Sequence, residues 1–369
     1  MTRRQLSIVH SESSEGWGGQ EHRVLAELKG FEGRGHVMAL CAPSHAEVVE
    51  RAQRAGVQVK EMGFSRLRFP FVAVAAARWL WQERVQVLNT HSSRDGYLMG
   101  LAARLAGTPL LIRSRHIDVD YPNPRISRHA FTTFADHVVT TSQKITDHLR
   151  STFHLSAGRI TTLPTGIDLS WFTPDGDRAS LGDSEADYCV GMVSVLRSWK
   201  GHPVFIEAAR LLRDRGVSCM FAIVGSGPQG GNIKKIVGEY GLSGKVVLTG
   251  HREDIPAVLR ALDVLVIPST GHEGIPQIGL QALACGTPVV GSDAGGIPEI
   301  IRHGETGRIV AAGDAELLAN AIAEALTDTG ATNRMADCGR EMVEREHGID
   351  NMLDQLEKIY ADHLTHNGS

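Results

Sequence analysis

Arg197 and Lys200 lie three residues apart in a polar segment that follows an apolar, strand-like run and precedes a helical pattern. Segments of this kind lie at the carboxyl edge of a parallel sheet, beside the N–H groups of the next helix. Two cations at that edge can neutralise a diphosphate through charge-assisted hydrogen bonds to its oxygens. The pair therefore predicts a phosphate-binding loop, and the alternative is an ordinary solvated loop.

Glu273 lies in a second polar loop, after the apolar run 264–267 and before a helical pattern at 275–284. A carboxylate repels phosphate but accepts hydrogen bonds from sugar hydroxyls. Further along, the glycine-rich turn 293–296 leads to a helix start at 297–299, so we expect two helix N-termini at this edge. A phosphate site beside a carboxylate indicates a nucleotide-sugar pocket. The alternative makes Glu273 a solvated loop residue.

The segment from Glu273 to Pro276, followed by Gln281, resembles the Glu-x7-Glu motif of the family-4 retaining glycosyltransferases. The second glutamate of the motif is Gln281 here, which donates and accepts hydrogen bonds but carries no charge. The resemblance covers nearly the whole chain and is strongest from 188 to 300. It implies the GT-B fold, an α/β architecture of two Rossmann-like, doubly wound parallel-sheet domains facing a central cleft.

The resemblance also implies roles for particular residues. The catalytic group would be Glu273 at the donor sugar, His91 beside the transferred sugar, and Arg197 and Lys200 at the pyrophosphate. Other residues would bind the rest of the donor. Gly18 and Gly19 would lie against its phosphates, and His251 and Arg252 would contact its base, mainly through their backbone. Ile275 and Pro276 would lie near the helix N-terminus, and Gln281 would bind the ribose. Arg115 and His116 are expected beside the acceptor. The departing phosphate would deprotonate the acceptor, and we expect neither a metal ion nor another cofactor.

Strand and helix patterns alternate along the chain, which predicts parallel sheets with helices on both faces. In the first half, a strand pattern at 85–89 runs into His91, and another at 110–112 runs into Arg115 and His116. Both places are strand carboxyl ends, where parallel α/β domains bind ligands.

The segment from Gly225 to Gly230 has the G-x-G-x-x-G spacing of a dinucleotide-binding loop. We discount an NAD-dependent dehydrogenase because the motif falls mid-chain, Pro228 interrupts it, and no acidic residue ends the next strand pattern at 246–248.

The domain boundary is predicted from a segment at 171–187 that is rich in proline, glycine and acidic residues. We expect an acceptor-binding domain at 1–170 and a nucleotide-sugar-binding domain at 171–345. After Glu299 we predict one short strand and two helices. The last, within 346–369, is amphipathic, and the resemblance has it crossing back to the N-terminal domain.

The composition is that of an ordinary globular chain, with 369 residues of which 42% are hydrophobic. The five cysteines are scattered and form no C-x-x-C pair, which argues against a disulfide framework and against a zinc site. The N-terminal apolar run is too short for a signal peptide, and the longest apolar stretch contains Arg78. We therefore expect a cytoplasmic protein that does not bind nucleic acid.

Residues 1–170 carry a net charge of +6 and residues 171–369 one of −10, together −4. The basic, aromatic stretch from Phe64 to Trp81, with Arg66, Arg68 and Arg78, has two interpretations. It predicts an amphipathic helix packed on the sheet, which we favour, or an element lying in a membrane interface. The second would place the protein at the inner face of the cytoplasmic membrane, with a lipid-linked or lipopolysaccharide-type acceptor.

We therefore predict a retaining hexosyltransferase that moves a sugar from a nucleotide-diphosphate sugar to a hydroxyl acceptor, in the synthesis of surface polysaccharide or glycolipid. Two alternatives remain, a sugar-nucleotide epimerase of the same build and a non-catalytic sugar-nucleotide binder, the latter motivated by Gln281.

Overall fold

The computed structural model describes residues 5–64, 69–121, 123–182 and 185–366. Arg66 and Arg68, part of the basic stretch noted above, lie outside the described residues. The chain forms two compact units. Unit 1 comprises residues 1–166 and 349–369, and unit 2 comprises residues 167–348.

Unit 1 is built on a parallel seven-stranded sheet in the order β3-β2-β1-β4-β5-β6-β7. Its strands are β1 Ser7–Ser11, β2 Val37–Ala42, β3 Gln58–Glu61, β4 Val87–Thr90, β5 Leu110–Arg115, β6 His137–Thr140 and β7 Ile160–Thr162. The helices between them are α1 Gly19–Gly33, α2 Glu47–Arg54, α3 Phe69–Gln82, α4 Ser93–Ala106, α5 Pro124–Thr132 and α6 Gln143–Phe153.

Unit 2 has a parallel six-stranded sheet in the order β10-β9-β8-β11-β12-β13. Its strands are β8 Tyr188–Val193, β9 Cys219–Val224, β10 Val246–Gly250, β11 Val264–Ile267, β12 Val289–Ser292 and β13 Arg308–Val310. Its helices are α7 His202–Asp214, α8 Gly230–Glu239, α9 Ile255–Ala261, α10 Gln277–Ala284, α11 Ala315–Thr327 and α12 Thr329–Glu346. The last helix of the chain, α13 Ile349–His366, belongs to unit 1.

Alternate residues of a strand point to opposite faces of a sheet, and β5 shows how this builds two core layers. Leu110 and Ile112 join the layer formed with α1, α2 and α13, whereas Leu111 joins the layer formed with α3 and α4. The buried face of α13 includes Leu353, Leu356 and Tyr360. Every residue of the inner strands β4, β5, β6, β11 and β12 is buried, which agrees with the apolar runs that parallel strands covered on both faces show.

Four predictions about the elements were wrong in detail. The second helix start, at 297–299, is a single 3-10 turn. The helix predicted from Ile275 begins at Gln277, because Pro276 occupies its N-cap with extended backbone. Strand β5 continues to Arg115 instead of ending at 112. Three helices follow β13 instead of two.

None of the helices within the described residues has both the length and the apolar character needed to cross a membrane.

Candidate active site

The two predicted loops of unit 2 meet where the strand order reverses, between β8 and β11. Strand β9 lies on one side of β8 and β11 lies on the other. The connection after β8 therefore runs toward β9, whereas the connection after β11 runs in the opposite direction, toward β12. This is the position at which parallel α/β sheets leave a crevice for ligands. The N–H of Thr270, after β11, donates to the carbonyl oxygen of Trp199, after β8, at 2.8 Å.

Glu273 is the centre of a polar cluster that both loops build. Lys200 Nζ lies 2.6 Å from Glu273 Oε1, and the hydroxyl of Ser269 donates to the same oxygen at 2.6 Å. Only 6% of Glu273 is exposed, and the side chain of Lys200 is mostly buried. The end of β12 also holds this cluster in place, since Ser292 Oγ donates to the carbonyl oxygen of Ser269.

Arg197 is the more exposed of the two predicted cations. Its guanidinium group lies 5.2 Å from the centre of the Trp199 ring, and it forms no ion pair with another described residue. An arginine stacked on an aromatic ring at a strand end keeps its donors available to an anion. The structure therefore presents a guanidinium group that an anion can reach beside the Lys200–Glu273 pair.

Helix α10 starts beside Glu273. Ile275 and Pro276 are buried and precede the first helical residue, so they position the helix N-terminus and are not part of the helix. Gln281 lies one turn further along and is partly exposed. Since the turn after β12 is only a short 3-10 element, α10 provides the one α-helix N-terminus of the two that we predicted after β11 and β12.

The predicted base-binding pair follows β10. His251 is exposed. Arg252 forms two hydrogen bonds to the carboxylate of Asp254, at 2.7 and 2.5 Å. Because the guanidinium group of Arg252 already binds Asp254, we expect a ligand to contact the backbone of this segment and the side chain of His251.

In unit 1, Gly18 and Gly19 form the start of α1. Gly18 is the N-cap, and its N–H donates to the carboxylate of Glu21 at 2.9 Å. This is one half of a capping box. A phosphate at this position would have to replace Glu21 as the acceptor of that N–H.

His91 lies in a row of three histidines that the structure brings together from β1 and from the ends of β4 and β5. His10 Nδ1 is 2.9 Å from His91 Nε2, and His91 Nδ1 is 2.9 Å from His116 Nε2. Burial lowers the pKa of all three imidazoles, and it places those of His91 and His116 well below the usual value. The rings are therefore neutral at pH 7.

Sequence reasoning missed His10, although a polar residue inside the apolar run of a strand is a detectable signal. It also missed two buried carboxyl groups of unit 1, Glu12 and Asp95. Asp95 accepts hydrogen bonds from Ser11 Oγ and from the N–H of His91. Burial, followed by the charge of Asp95, raises the pKa of Glu12 to about 8. Burial also raises the pKa of Asp95.

One group of side chains in the described residues has ligand atoms close enough to hold a metal ion: His10, Glu27 and His91. Arg23 Nε already lies 2.6 Å from Glu27 Oε1, so the only carboxylate of the group is neutralised by a buried cation. A site for a divalent ion needs anionic or neutral ligands without a competing cation, and this group does not meet that need. The expectation of a metal-free reaction stays a prediction.

Two family models match the chain. "Glycosyltransferase Family 4" matches residues 17–171, and "Glycosyl transferases group 1" matches residues 175–342. A GDP-mannose-dependent alpha-(1-6)-phosphatidylinositol monomannoside mannosyltransferase of Mycolicibacterium smegmatis is 30% identical over 86% of this chain and 89% of its own length. A UDP-Gal:alpha-D-GlcNAc-diphosphoundecaprenol alpha-1,3-galactosyltransferase of Escherichia coli is 26% identical over 78% of each chain.

Among solved structures, the Anabaena protein HepE in complex with UDP and glucose superposes with a TM-score of 0.84 at 20% identity, over 97% of this chain and 100% of that one. A likeness at that identity shows the shared fold. Together with the two parallel sheets, it confirms the predicted GT-B class. The chain therefore belongs to the family-4 glycosyltransferases of the GT-B fold.

Proposed function

We propose that the protein transfers a hexose from a nucleotide-diphosphate sugar to a hydroxyl acceptor and retains the anomeric configuration. The observation that carries this proposal is the Lys200–Glu273 pair at the switch point of the unit 2 sheet. In our proposal the cation of Lys200 binds the diphosphate and the neighbouring carboxylate of Glu273 accepts hydrogen bonds from the sugar hydroxyls. Arg197 and the N-terminus of α10 add positive charge at the same edge.

In this proposal the sugar–phosphate bond breaks, negative charge builds on the departing diphosphate, and a new bond forms from the anomeric carbon to the acceptor oxygen on the same face. The acceptor proton passes to an oxygen of the departing phosphate. Arg197 and Lys200 stabilise the developing charge, and such preorganised electrostatics is usually the largest contribution to catalysis. Glu273 orients the sugar hydroxyls, and Gln281 binds the ribose.

Arg115 and His116 would hold the acceptor at the carboxyl edge of unit 1. His91 would lie beside the transferred sugar. Because both ring nitrogens of His91 are already hydrogen-bonded, its part is to shape and orient that edge and not to transfer a proton. The names of the two relatives given above specify glycolipid acceptors, a phosphatidylinositol mannoside and a diphosphoundecaprenol-linked sugar. They support a glycolipid or lipid-linked acceptor here.

Binding of nucleotides tests the donor site directly. We expect one of UDP, GDP or ADP to raise the melting temperature of the purified protein, and its monophosphate to do so much less. Lys200→Gln should weaken diphosphate binding about tenfold or more, because it removes a charge-assisted contact. Lys234→Gln, on an exposed position of α8, is the control and should bind like the wild type. If no nucleoside diphosphate stabilises the protein, the proposed function is wrong.

Incubation of the protein with the sugar nucleotide that binds best then separates the alternatives. Transfer to a lipid-linked acceptor supports the proposal. Conversion of the sugar without an acceptor indicates the epimerase. Tight binding with neither transfer nor hydrolysis indicates a non-catalytic binder and would point to Gln281 as the reason.

We also propose that helix α3 contacts an anionic membrane surface. Its inner face, which includes Ala76 and Leu80, packs in the core of unit 1, as the favoured interpretation of this stretch predicted. Its outer face presents Phe71, 80% exposed, and Trp81, 69% exposed, and Arg78 is also exposed. Aromatic and basic side chains on one face are typical of helices that lie in a membrane interface.

Co-sedimentation with vesicles of phosphatidylglycerol checks this contact. Replacing both Phe71→Ser and Trp81→Ser should lower the bound fraction about tenfold, because two large apolar side chains no longer enter the interface. Trp171→Ser is the matched control, since Trp171 is 50% exposed but belongs to unit 2. Equal losses in both variants, or no loss in the double variant, would rule out α3 as the contact.

A further inference from the structure

Within the described part of the chain, strand β5 carries two buried arginines without a carboxylate partner. Arg113 is 2% exposed and Arg115 is 5% exposed, and as alternate residues of one strand they lie on the same face of the sheet. Neither forms an ion pair with another described residue, and the buried Nε of each has no hydrogen-bond partner there. Arg23, by contrast, is buried in the same unit with Glu27 Oε1 at 2.6 Å.

A buried charge without a partner is costly, so its retention calls for a physical reason. Arg113 is fixed in place by its surroundings. Its Nη1 donates to Thr90 Oγ1 at 3.3 Å, its guanidinium group lies 5.5 Å from the centre of the Phe131 ring, and Gly96 leaves room for it on α4. Arg113 therefore adds positive charge within the strand, two residues before its carboxyl end.

Arg115 is the last residue of β5, at the carboxyl edge where ligands reach a parallel sheet. Its guanidinium group lies 5.7 Å from the centre of the half-buried Tyr121 ring. The Tyr121 side chain also forms a hydrogen bond with Arg115. Contacts of this kind hold a guanidinium group in one orientation, and its fork of donors suits a phosphate group better than a single charge does. Arg115 is thus placed and oriented to receive an anion.

The other charged groups around this edge do not cancel the two arginines by direct contact. Asp118 accepts a hydrogen bond from His148 Nδ1 at 2.6 Å, so its charge is already shared. Glu12 and Asp95 act on Arg113 through their charge, but neither forms an ion pair with it, and Asp95 accepts its hydrogen bonds from Ser11, Ser13 and the N–H of His91. His116 is neutral and can still donate a proton in a hydrogen bond. Among the described residues, no carboxylate at this edge therefore pairs directly with Arg113 or Arg115.

We propose that the acceptor carries a phosphate group and that Arg115 binds this group at the carboxyl edge of unit 1, with Arg113 adding charge behind it. The proposal rests on the transferase function proposed above and names the chemical class of its acceptor. A phosphate with two negative charges offsets two guanidinium groups, which a neutral sugar cannot do. The phosphate belongs either to a lipid headgroup or to a soluble phosphomonoester.

Two probes distinguish these sources. The soluble probe is glycerol 3-phosphate, with glycerol as its uncharged control, measured by calorimetry. The membrane probe is a vesicle of phosphatidylcholine with phosphatidic acid, compared with phosphatidylcholine alone. For this arm the protein carries Phe71→Ser and Trp81→Ser, which removes the contribution of α3.

We expect Arg115→Gln to weaken binding of one of the two probes about tenfold or more, and Arg115→Lys to weaken it less, because lysine keeps the charge but loses the fork. Arg150→Gln, an exposed arginine of α6, should bind like the wild type. The melting temperature of unliganded Arg115→Gln should equal or exceed that of the wild type, since a buried charge without a partner is removed.

The outcomes are separable from those of the donor site. Loss of probe binding in Arg115→Gln, with the nucleotide response kept, supports the proposal, and the probe that responds identifies the source. The protein could bind phosphate through Arg115 and yet bind no nucleoside diphosphate. That result would support the phosphate site and contradict the proposed transferase function. If neither probe depends on Arg115, or if Arg115→Gln and Arg115→Lys both lower the melting temperature strongly, the phosphate site is wrong.

Discussion

Replacing Glu273 by alanine is expected to lower the rate of sugar transfer about a thousandfold, the upper end of what one preorganised polar group contributes. The carboxylate would no longer orient the sugar hydroxyls. Lys200 would also lose its partner at 2.6 Å and turn toward the phosphates. Because a carboxylate repels phosphate, nucleotide affinity should be unchanged or tighter. The loss should therefore appear in kcat and not in KM.

Glu273→Gln is the matched variant, since glutamine keeps the volume and can still accept the hydrogen bond of Ser269. It should lose less activity than alanine but more than tenfold, because the amide cannot pair with Lys200. Steady-state kinetics with the best donor measure both variants. Turnover of Glu273→Ala within a factor of about three of the wild type would remove Glu273 from the proposed mechanism.

Gly201→Ala should destabilise unit 2 by more than about 3 kcal/mol and abolish nucleotide binding. Gly201 ends the Arg197–Lys200 loop with a φ of +78°, and a Cβ there would lie 1.8 Å from the carbonyl oxygen of Pro268. Neither atom can move without its backbone. The loop after β8 would have to separate from the loop after β11, and Lys200 would move away from Glu273.

Gly216→Ala supplies the control at the other end of α7. Gly216 has almost the same φ, +79°, but a Cβ at this position would meet no described heavy atom within 4 Å. Its cost should be the left-handed backbone alone, about 1 to 2 kcal/mol, with nucleotide binding retained. Urea denaturation followed by intrinsic fluorescence compares the two. Equal free energies of unfolding for both variants would show that the contact with Pro268 has no energetic weight.

Much of the fold could be predicted because parallel strands buried on both faces are short apolar runs. The bounds of β11, Val264–Ile267, agree with the apolar run seen in the sequence. The sequence of helix α4, by contrast, has no clear pattern that predicts a helix. Its positions Gly96 and Gly100 are poor helix formers, and they are small because Arg113 and Phe134 pack against them. Here a tertiary contact outweighs local propensity.

The candidate site was only partly predictable for a related reason. Strand ends marked Arg197, Lys200 and Glu273 as neighbours of one sheet edge, but spacing could not show an ion pair between residues 73 positions apart. The pairing requires the two loops to meet, which the sheet order decides. Likewise, Arg115 looked like a loop residue, and only the extended pairing of β5 with β6 shows that it is buried in the strand.

The row of His10, His91 and His116 has a directional property. Three neutral imidazoles joined in series hold one hydrogen at each junction, which leaves only two arrangements of their protons. In the first arrangement, the outer nitrogen of His116 carries no hydrogen and the outer nitrogen of His10 is an N–H. In the second, the outer nitrogen of His116 is the N–H and that of His10 carries no hydrogen. The carboxylate of Glu27, 3.6 Å from His10 Nδ1, favours a hydrogen on that atom and hence an outward N–H on His116. The Oε2 of Glu27, which has no hydrogen-bond partner among the described residues, thus favours a donor at the far end of the row, with no atom heavier than hydrogen having to move.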